Sequence, residues 1–247
     1  MNNEKTTILI LAANPIDTGR LRLDEEMREI YAALERAKMR DQFEIISQWA
    51  VRPNDLLHAI VKYKPQIVHF SGHGAGSEGL ALEDESGRMQ LASTEALTQL
   101  FKLFKEKIQC VLLNACYSET QAEAIHQHIN YVIGMNKAIG DKAAVAFSEA
   151  FYQGLGNELS IEDAYELGKV AIQLAGIPES LTPILKSKQK STLETQTNPQ
   201  QEQKPDKPQD TTLYSNTFNI SGSNIKNLSG SGDIINLKVG NSLDSLH

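Results

Sequence analysis

Five short apolar runs alternate with helix-like segments over the first 185 residues, and this alternation restricts the fold more than any other feature. The runs occupy residues 7–13, 43–51, 66–70, 110–116 and 131–135. Mostly unbroken apolar runs of this length are typical of strands that are buried on both faces of a parallel sheet. The pattern predicts an α/β domain over residues 1–185, with a mainly parallel central sheet flanked by helices.

The segments between the runs support this prediction. In the segment after the first run, five apolar side chains recur at helical spacing on one face, namely Leu23, Met27, Ile30, Tyr31 and Leu34. Such spacing predicts an amphipathic helix, expected over residues 20–40. A different pattern interrupts the alternation at 79–91, where two short apolar stretches flank Asp-Glu-Ser-Gly at 84–87 and predict a β-hairpin.

The composition changes abruptly at Lys186. Gln, Lys, Pro, Thr and Glu dominate residues 186–212, and large apolar residues are almost absent. A segment of this composition cannot bury enough apolar surface to offset the entropy lost on ordering. We therefore expect residues 186–212 to be a disordered polar linker.

A repeat follows the predicted linker. The unit Asn-Ile-Ser-Gly-Ser at 219–223 recurs as Asn-Leu-Ser-Gly-Ser at 227–231, and a looser copy lies at 236–240. Stacked copies would align their asparagines into ladders of hydrogen-bonded amides. They would also bury Ile and Leu in an interface that excludes water. Residues 213–247 resemble the amyloid signalling motifs that link bacterial sensors to effectors. This leaves three outcomes open for the segment: self-assembly, a small β-solenoid that docks on a partner, or disorder.

Charge and cysteine content exclude several functional classes. The net charge is -7 and the isoelectric point is about 5.4, so the basic surface of a nucleic-acid-binding protein is not expected. The apolar runs are too short to cross a membrane. The first seven residues do not resemble a signal peptide, and a cytoplasmic location is expected. With Cys110 and Cys116 as the two cysteines and no Cys-x-x-Cys motif, we expect neither a disulfide framework nor a metal site, and no cofactor is implied.

Two candidate catalytic residues directly follow two of the apolar runs. His73 lies in the glycine-rich turn after the third run, and Cys116 ends the fourth. Because the carboxyl ends of parallel strands share one edge of a sheet, these side chains are expected to meet there. A cysteine nucleophile needs a base and a group that holds the developing oxyanion. His73 can be the base, and the backbone amides of Gly74 and Cys116 can form the oxyanion hole.

Three motifs resemble those of the CHAT family, which is grouped with caspases, separases and gingipains. Residues 68–74 (VHFSGHG) resemble its histidine motif, residues 111–118 (VLLNACYS) its cysteine motif, and residues 140–155 its next helix. The resemblance covers about residues 7–176. It implies a caspase-like sandwich, a His73–Cys116 dyad and hydrolysis of peptide bonds in a protein substrate. It also implies a role as an effector in bacterial conflict or regulated cell death.

The resemblance also suggests where substrate specificity is set. In caspase-like enzymes the residue two positions before the nucleophile commonly lines the pocket for the residue that precedes the cut. Asn114 has this position, and Asp17 after the first strand is a second candidate. Because Asn114 is uncharged, we expect a neutral or polar pocket. We expect His69, inside the third strand, and Cys110 to be structural residues.

Two other functional readings remain at this point. In the first, the domain is a non-catalytic adaptor and residues 213–247 assemble or bind a sensor that carries a similar motif. In the second, the domain binds a nucleotide, but Ala-Asn-Pro at 13–15 stands where a phosphate-binding glycine loop would follow the first strand. If the chain is a protease, the terminal motif would recruit it to such a sensor, and clustering would increase cleavage.

Overall fold

The computed structural model describes residues 5–188 of the chain. Most of the predicted linker and the whole repeat segment lie outside the described residues. The strands are β1 (Thr6–Ala13), β2 (Phe43–Trp49), β3 (Ile67–Gly72), β4 (Gly79–Glu83), β5 (Met89–Ser93), β6 (Cys110–Asn114), β7 (Tyr131–Met135) and β8 (Pro183–Ser187). The helices are α1 (Leu23–Glu35), α2 (Pro53–Tyr63), α3 (Thr94–Leu103), α4 (Glu119–His126), α5 (Asp141–Gly156) and α6 (Ile161–Leu174).

A six-stranded sheet in the order β2-β1-β3-β6-β7-β8 forms the centre of the domain. Every neighbouring pair in it is parallel except β7 and β8, which are antiparallel. β4 and β5 form the predicted hairpin outside this sheet. The prediction of an α/β fold with a mainly parallel central sheet is therefore confirmed.

The two faces of the sheet are covered by separate hydrophobic clusters. Along β1, Leu9 and Leu11 face the cluster formed with α2, α3 and α4, whereas Ile8 and Ile10 face the cluster formed with α1, α5 and α6. Successive side chains of a strand point to opposite faces, so a strand between two helical layers must be apolar at nearly every position. This requirement explains the unbroken apolar runs of the sequence.

Some strand and helix boundaries differ from those expected from the sequence. β8 was not expected, and it extends the domain to Ser187, two residues into the predicted linker. It is short, partly exposed and begins with Pro183, a residue tolerated at the first position of an edge strand. α1 is shorter than expected because the chain before it forms a loop, in which the side chain of Asn14 accepts a hydrogen bond from the backbone N–H of Leu21 (3.4 Å).

Two further properties concern only the described residues. None of the helices between residues 5 and 188 has the length and apolar character needed to cross a bilayer. Within the same range, no cluster of three or more His, Cys, Asp or Glu side chains is close enough to hold a metal ion.

Candidate active site

The ends of β3 and β6 bring the two candidate catalytic residues to one edge of the sheet. Ser71 pairs with Asn114 in the parallel ladder, and in each case the candidate catalytic residue lies two positions later in the chain, just past the end of the strand. His73 and Cys116 both line one narrow cavity at this edge. Both side chains are partly buried. The expected meeting of the two turns therefore follows from the strand register.

A backbone carbonyl fixes the orientation of His73. The Nε2 atom of His73 lies 2.6 Å from the carbonyl oxygen of Gly19, in the loop before α1. A carbonyl oxygen can only accept a hydrogen bond, so Nε2 carries the proton in this contact. In the neutral imidazole the other nitrogen, Nδ1, is then the acceptor. The loop thus selects the tautomer that a general base at Nδ1 requires.

The turn that carries Cys116 is held against the loop after β7. The backbone N–H of Ile139 donates to the Cys116 Sγ at 3.4 Å, and the N–H of Tyr117 donates to the carbonyl of Lys137 at 3.1 Å. Tyr117 has a φ of 55°, a left-handed conformation that is uncommon for a residue other than glycine. Backbone strain of this kind persists where the surrounding contacts over-determine it. These contacts hold the sulfur at the cavity wall and give it one amide donor.

The backbone of Gly74 lies directly against the backbone of Cys116. A Cβ atom placed on Gly74 would come within 2.0 Å of the Cys116 carbonyl oxygen, so a larger residue cannot fit without displacing one of the two turns. Neighbouring hydrogen bonds, from Ala75 N–H to Gly79 and from Ala81 N–H to His73, fix the Gly74 turn on β4. Neither bond uses the N–H of Gly74.

A buried carboxylate, which sequence reasoning missed, ties the ends of both strands together. Glu26 Oε1 lies 3.2 Å from His69 Nε2 and accepts from Asn114 Nδ2 (2.5 Å) and Ser148 Oγ (2.6 Å), while Oε2 accepts from Ser71 Oγ. Burial alone would raise the pKa of Glu26. The hydrogen bond and charge of His69, and the hydroxyls of Ser148 and Ser71, outweigh burial and hold this pKa below its usual value.

The position of Glu26 explains how it organises the site. Ser71 and Asn114 each stand two residues before a candidate catalytic residue, and both donate to this one carboxylate. The signal in the sequence was a charged residue on an apolar helix face, because Glu26 lies between Leu23 and Ile30 at helical spacing. A buried acid of this kind is retained only when partners satisfy it.

The two residues expected to set specificity have different positions. Asn114 lines the cavity beside Cys116. Asp17 is not among the residues that line it, and its Oδ1 accepts a hydrogen bond from the backbone N–H of Met89 at 2.8 Å. This contact ties the loop after β1 to the hairpin strand β5, so the Asp17 carboxylate lies outside the cavity.

The residues expected to be structural lie in the interior. His69 is fully buried, and its Nδ1 lies 3.1 Å from the hydroxyl of Tyr152 on α5. Cys110, at the start of β6, is also fully buried. Burial, and to a smaller extent the negative charge of Glu162, raises the pKa of the Cys110 thiol to about 12. This thiol is therefore protonated over the ordinary pH range and is a poor nucleophile.

Comparison with known proteins gives the family and independently supports the fold. The family model of the CHAT domain matches residues 2–176. A Roc-COR-CHAT protease from an unknown prokaryotic organism is 29% identical over 185 residues, which cover 72% of this chain and 17% of the relative. A Roc-COR-CHAT protease of Runella zeae is 27% identical over 170 residues, covering 67% of this chain and 18% of the relative.

Two further proteins extend the comparison. A probable protease of Gillisia limnaea is 29% identical over 152 residues, covering 61% of this chain and 27% of that protein. The chain thus spans 17% to 27% of the length of these relatives. A secreted C11 cysteine protease of Bacteroides thetaiotaomicron, solved with an irreversible peptide inhibitor, has a TM-score of 0.51 at 15% identity, over 66% of this chain and 56% of that one. It shows that the two proteins share a caspase-like fold.

The family match spans most of the chain, so this protein belongs to the CHAT domain family.

Proposed function

We propose that the domain is a cysteine endopeptidase that cleaves protein substrates with Cys116 as nucleophile and His73 as general base. The observation that carries the proposal is the arrangement of His73, whose Nε2 is held by the Gly19 carbonyl in the same cavity as Cys116. That contact leaves Nδ1 available as a base. The names of the relatives, which are proteases, agree with the proposal.

The reaction begins when His73 Nδ1 takes the proton of the Cys116 thiol. The thiolate attacks the carbonyl carbon of the scissile bond, and the resulting oxyanion accepts hydrogen bonds from the N–H groups of Gly74 and Cys116. His73 then gives its proton to the departing amine, which leaves a thioester on Cys116. Water, deprotonated by His73, attacks the thioester and releases the carboxylic acid and the free thiol.

The contacts of the Cys116 turn support the first step. The N–H of Ile139 points at the sulfur and stabilises negative charge that develops there. The close approach of Gly74 to Cys116 brings two backbone amides into one small region, as an oxyanion hole requires. The Gly19 carbonyl has the role of the third group in catalytic triads, which orients the base.

Proteolysis of a diverse peptide library tests this proposal. We compare the intact chain with Cys116→Ala and His73→Ala, and use Cys110→Ala as the matched control for loss of a thiol. Loss of the nucleophile or its base is expected to lower kcat/KM at least about 10³-fold. Cys110→Ala creates a small cavity, costs about 1 kcal/mol of stability and retains cleavage. Cleavage that persists in Cys116→Ala would contradict the proposal.

The proposal extends to the biological role of the enzyme. The chain acts in the cytoplasm as an effector in bacterial conflict or regulated cell death, and residues 213–247 recruit it to a sensor with a similar motif. The repeated Asn-Ile-Ser-Gly-Ser unit supports this role. Deleting residues 213–247 is expected to abolish activation in cells and to leave cleavage of peptides by the purified domain intact. If activation in cells were unchanged, the recruitment model would fail, and a chain without any peptidase activity would favour an adaptor.

A further inference from the structure

A buried glutamine on α4 connects the two turns that carry the candidate catalytic residues. Gln121 is fully buried, and α4 begins three residues after Cys116. Its Nε2 donates a hydrogen bond to the backbone carbonyl of Gly76, three residues after His73, and another to Thr94 Oγ1, each at 2.7 Å. One side chain of the helix that follows Cys116 therefore holds the loop that follows His73.

These hydrogen bonds fix the orientation of the Gln121 amide. The Gly76 carbonyl can only accept, so the NH2 group of the amide must face it and Oε1 must point away. Thr94 Oγ1 accepts from the same NH2 group and donates its own proton to the carbonyl of Ser77 at 3.2 Å. Two successive carbonyls of the loop after His73 are thus held, the first of them directly by Gln121.

The start of α4 is in turn fixed to the central sheet. The hydroxyl of Ser118, which directly precedes the helix, donates to the carbonyl of Leu113 on β6 at 2.9 Å. The same hydroxyl accepts from the N–H of Met135 on β7 at 3.0 Å, and Ser118 is fully buried. A side chain presented by an anchored helix is held more precisely than one on a loop. Gln121 therefore ties the loop after His73 to a rigid element.

Packing alone does not explain a glutamine at this position. The buried side chains of α4 are Gln121, Ala122 and Ile125, and the other two are apolar. Gln121 Oε1 is buried without a hydrogen-bond partner among the described residues, which costs stability. A methionine has about the same length, adapts well to a core and would avoid this cost. What methionine lacks is the NH2 group that faces the loop.

We infer that Gln121 is a positioning residue for catalysis, which holds His73 at the distance from Cys116 that proton transfer requires. This inference rests on the proposed peptidase function and adds a residue to the machinery of that site. Gln121 is not among the residues that line the cavity, so it acts through the Gly76 carbonyl and not on the substrate. Without this bond the loop keeps its backbone contacts to β4 and loses its hydrogen bond to α4.

Peptide cleavage by Gln121→Met tests the inference. Methionine keeps the length of the side chain and removes both donors, so we expect kcat to fall about tenfold or more while KM changes less than about threefold. Gln127→Met, at an exposed position just after the same helix, is the matched control and should leave both constants unchanged. Circular dichroism checks that each variant is folded under the assay conditions. An unchanged kcat, or a loss confined to KM, would overturn the inference.

Gln121→Glu supplies a readout that a packing role would not move. The ionised carboxylate has no donor for the Gly76 carbonyl, whereas the protonated group has one. Burial disfavours the charged form, so this side chain takes up a proton as the pH falls. Relative to wild type, kcat should be about tenfold low at pH 8 and should recover at least about threefold by pH 6, while the Gln121→Met ratio stays constant. A Gln121→Glu ratio that did not recover would contradict the inference, and this variant keeps the test valid if Gln121→Met does not fold.

Alkylation of Cys116 separates this inference from the peptidase proposal, because it requires no cleavage of a substrate. A base held beside a thiol increases its reactivity. Iodoacetamide should therefore modify Cys116 more slowly in Gln121→Met than in wild type, at a rate closer to that of His73→Ala. Slower alkylation in Gln121→Met, together with no peptide cleavage by any form, would refute the peptidase and keep the positioning of His73 by Gln121. Cleavage by wild type, with the same kcat and the same alkylation rate in Gln121→Met, would overturn the positioning role alone.

Discussion

The two cysteines lie at opposite ends of one strand and have opposite environments. Cys110 begins β6 in the apolar cluster under α5 and α6, where burial raises its pKa to about 12. Cys116 follows the end of β6, is partly exposed and receives a hydrogen bond from the amide of Ile139. The comparison shows that position relative to the carboxyl edge of a parallel sheet decides whether a thiol packs in the apolar core or lines the cavity at that edge.

Alkylation kinetics give the largest expected difference between the two thiols. At pH 8 a thiol with a pKa of about 12 is ionised to only about one part in 10⁴, and Cys110 is also shielded from the reagent. Iodoacetamide should therefore modify one thiol in the native chain and two in denaturant, with Cys110 reacting at least about 10³-fold more slowly.

The variants Cys110→Ala and Cys116→Ala assign the reacting group, and mass spectrometry counts the modified thiols. Native Cys110→Ala should take up one label and native Cys116→Ala none. Rapid modification of Cys110 in the native chain would show that the start of β6 opens to solvent and would remove the contrast between the two ends.

A substitution that disturbs only the Cys116 end of the strand should have the next largest effect. Gly74→Ala places a Cβ 2.0 Å from the Cys116 carbonyl oxygen, so one of the two turns must shift. A misplacement of about 1 Å at a reacting group can cost about 100-fold in rate, and we expect a loss of that size in kcat/KM for peptide cleavage. Alkylation of Cys110 in denaturant should not change.

Gly19→Ala is the matched control for this substitution. A Cβ at Gly19 would lie 4.0 Å from the His73 ring, an ordinary contact distance, although Gly19 also borders the site. This variant should lose less than about threefold in kcat/KM, in the range of a well-tolerated substitution. Equal losses in the two variants would show that loop flexibility, and not the contact between the Gly74 and Cys116 backbones, decides the rate.

The sequence predicted seven of the eight strands of the described residues and the two catalytic candidates, because both depend on local patterns. Apolar runs locate buried strands, and residues that follow them reach the sheet edge. The sequence did not predict Glu26 as a partner of Asn114, since the contact joins residues that are 88 positions apart. It also placed Asp17 near the cavity, whereas the structure binds that carboxylate to the N–H of Met89. Side-chain partners in loops depend on tertiary contacts that periodicity does not encode.

The buried network around Glu26 lies between the two cysteines. The free energy of unfolding that this network contributes, and its loss in acid, is the smallest of the expected effects. The pKa of Glu26 is lower in the folded chain than in the unfolded chain, where it is about 4.3. The ionised carboxylate therefore stabilises the fold at pH values above the unfolded pKa. This stabilisation is lost as the pH falls through the folded-state pKa. Hydrogen bonds to a buried charge contribute about 2 kcal/mol, and Glu26→Gln should lower the free energy of unfolding by about that amount at pH 7.

The difference in free energy of unfolding between wild type and Glu26→Gln should then become smaller as the pH falls. A protonated Glu26 and a glutamine both place a donor where Asn114, Ser148 and Ser71 need an acceptor, so wild type and Glu26→Gln should converge in acid. Urea unfolding between pH 7 and pH 3 measures this, and Glu29→Gln, whose parent acid pairs with Arg28 on the surface of α1, is the control. If the difference in free energy of unfolding stayed constant over this pH range, the glutamine would be destabilising the chain by disturbing the packing of α1. In that case the charge of Glu26 would not be what holds the ends of β3 and β6 together.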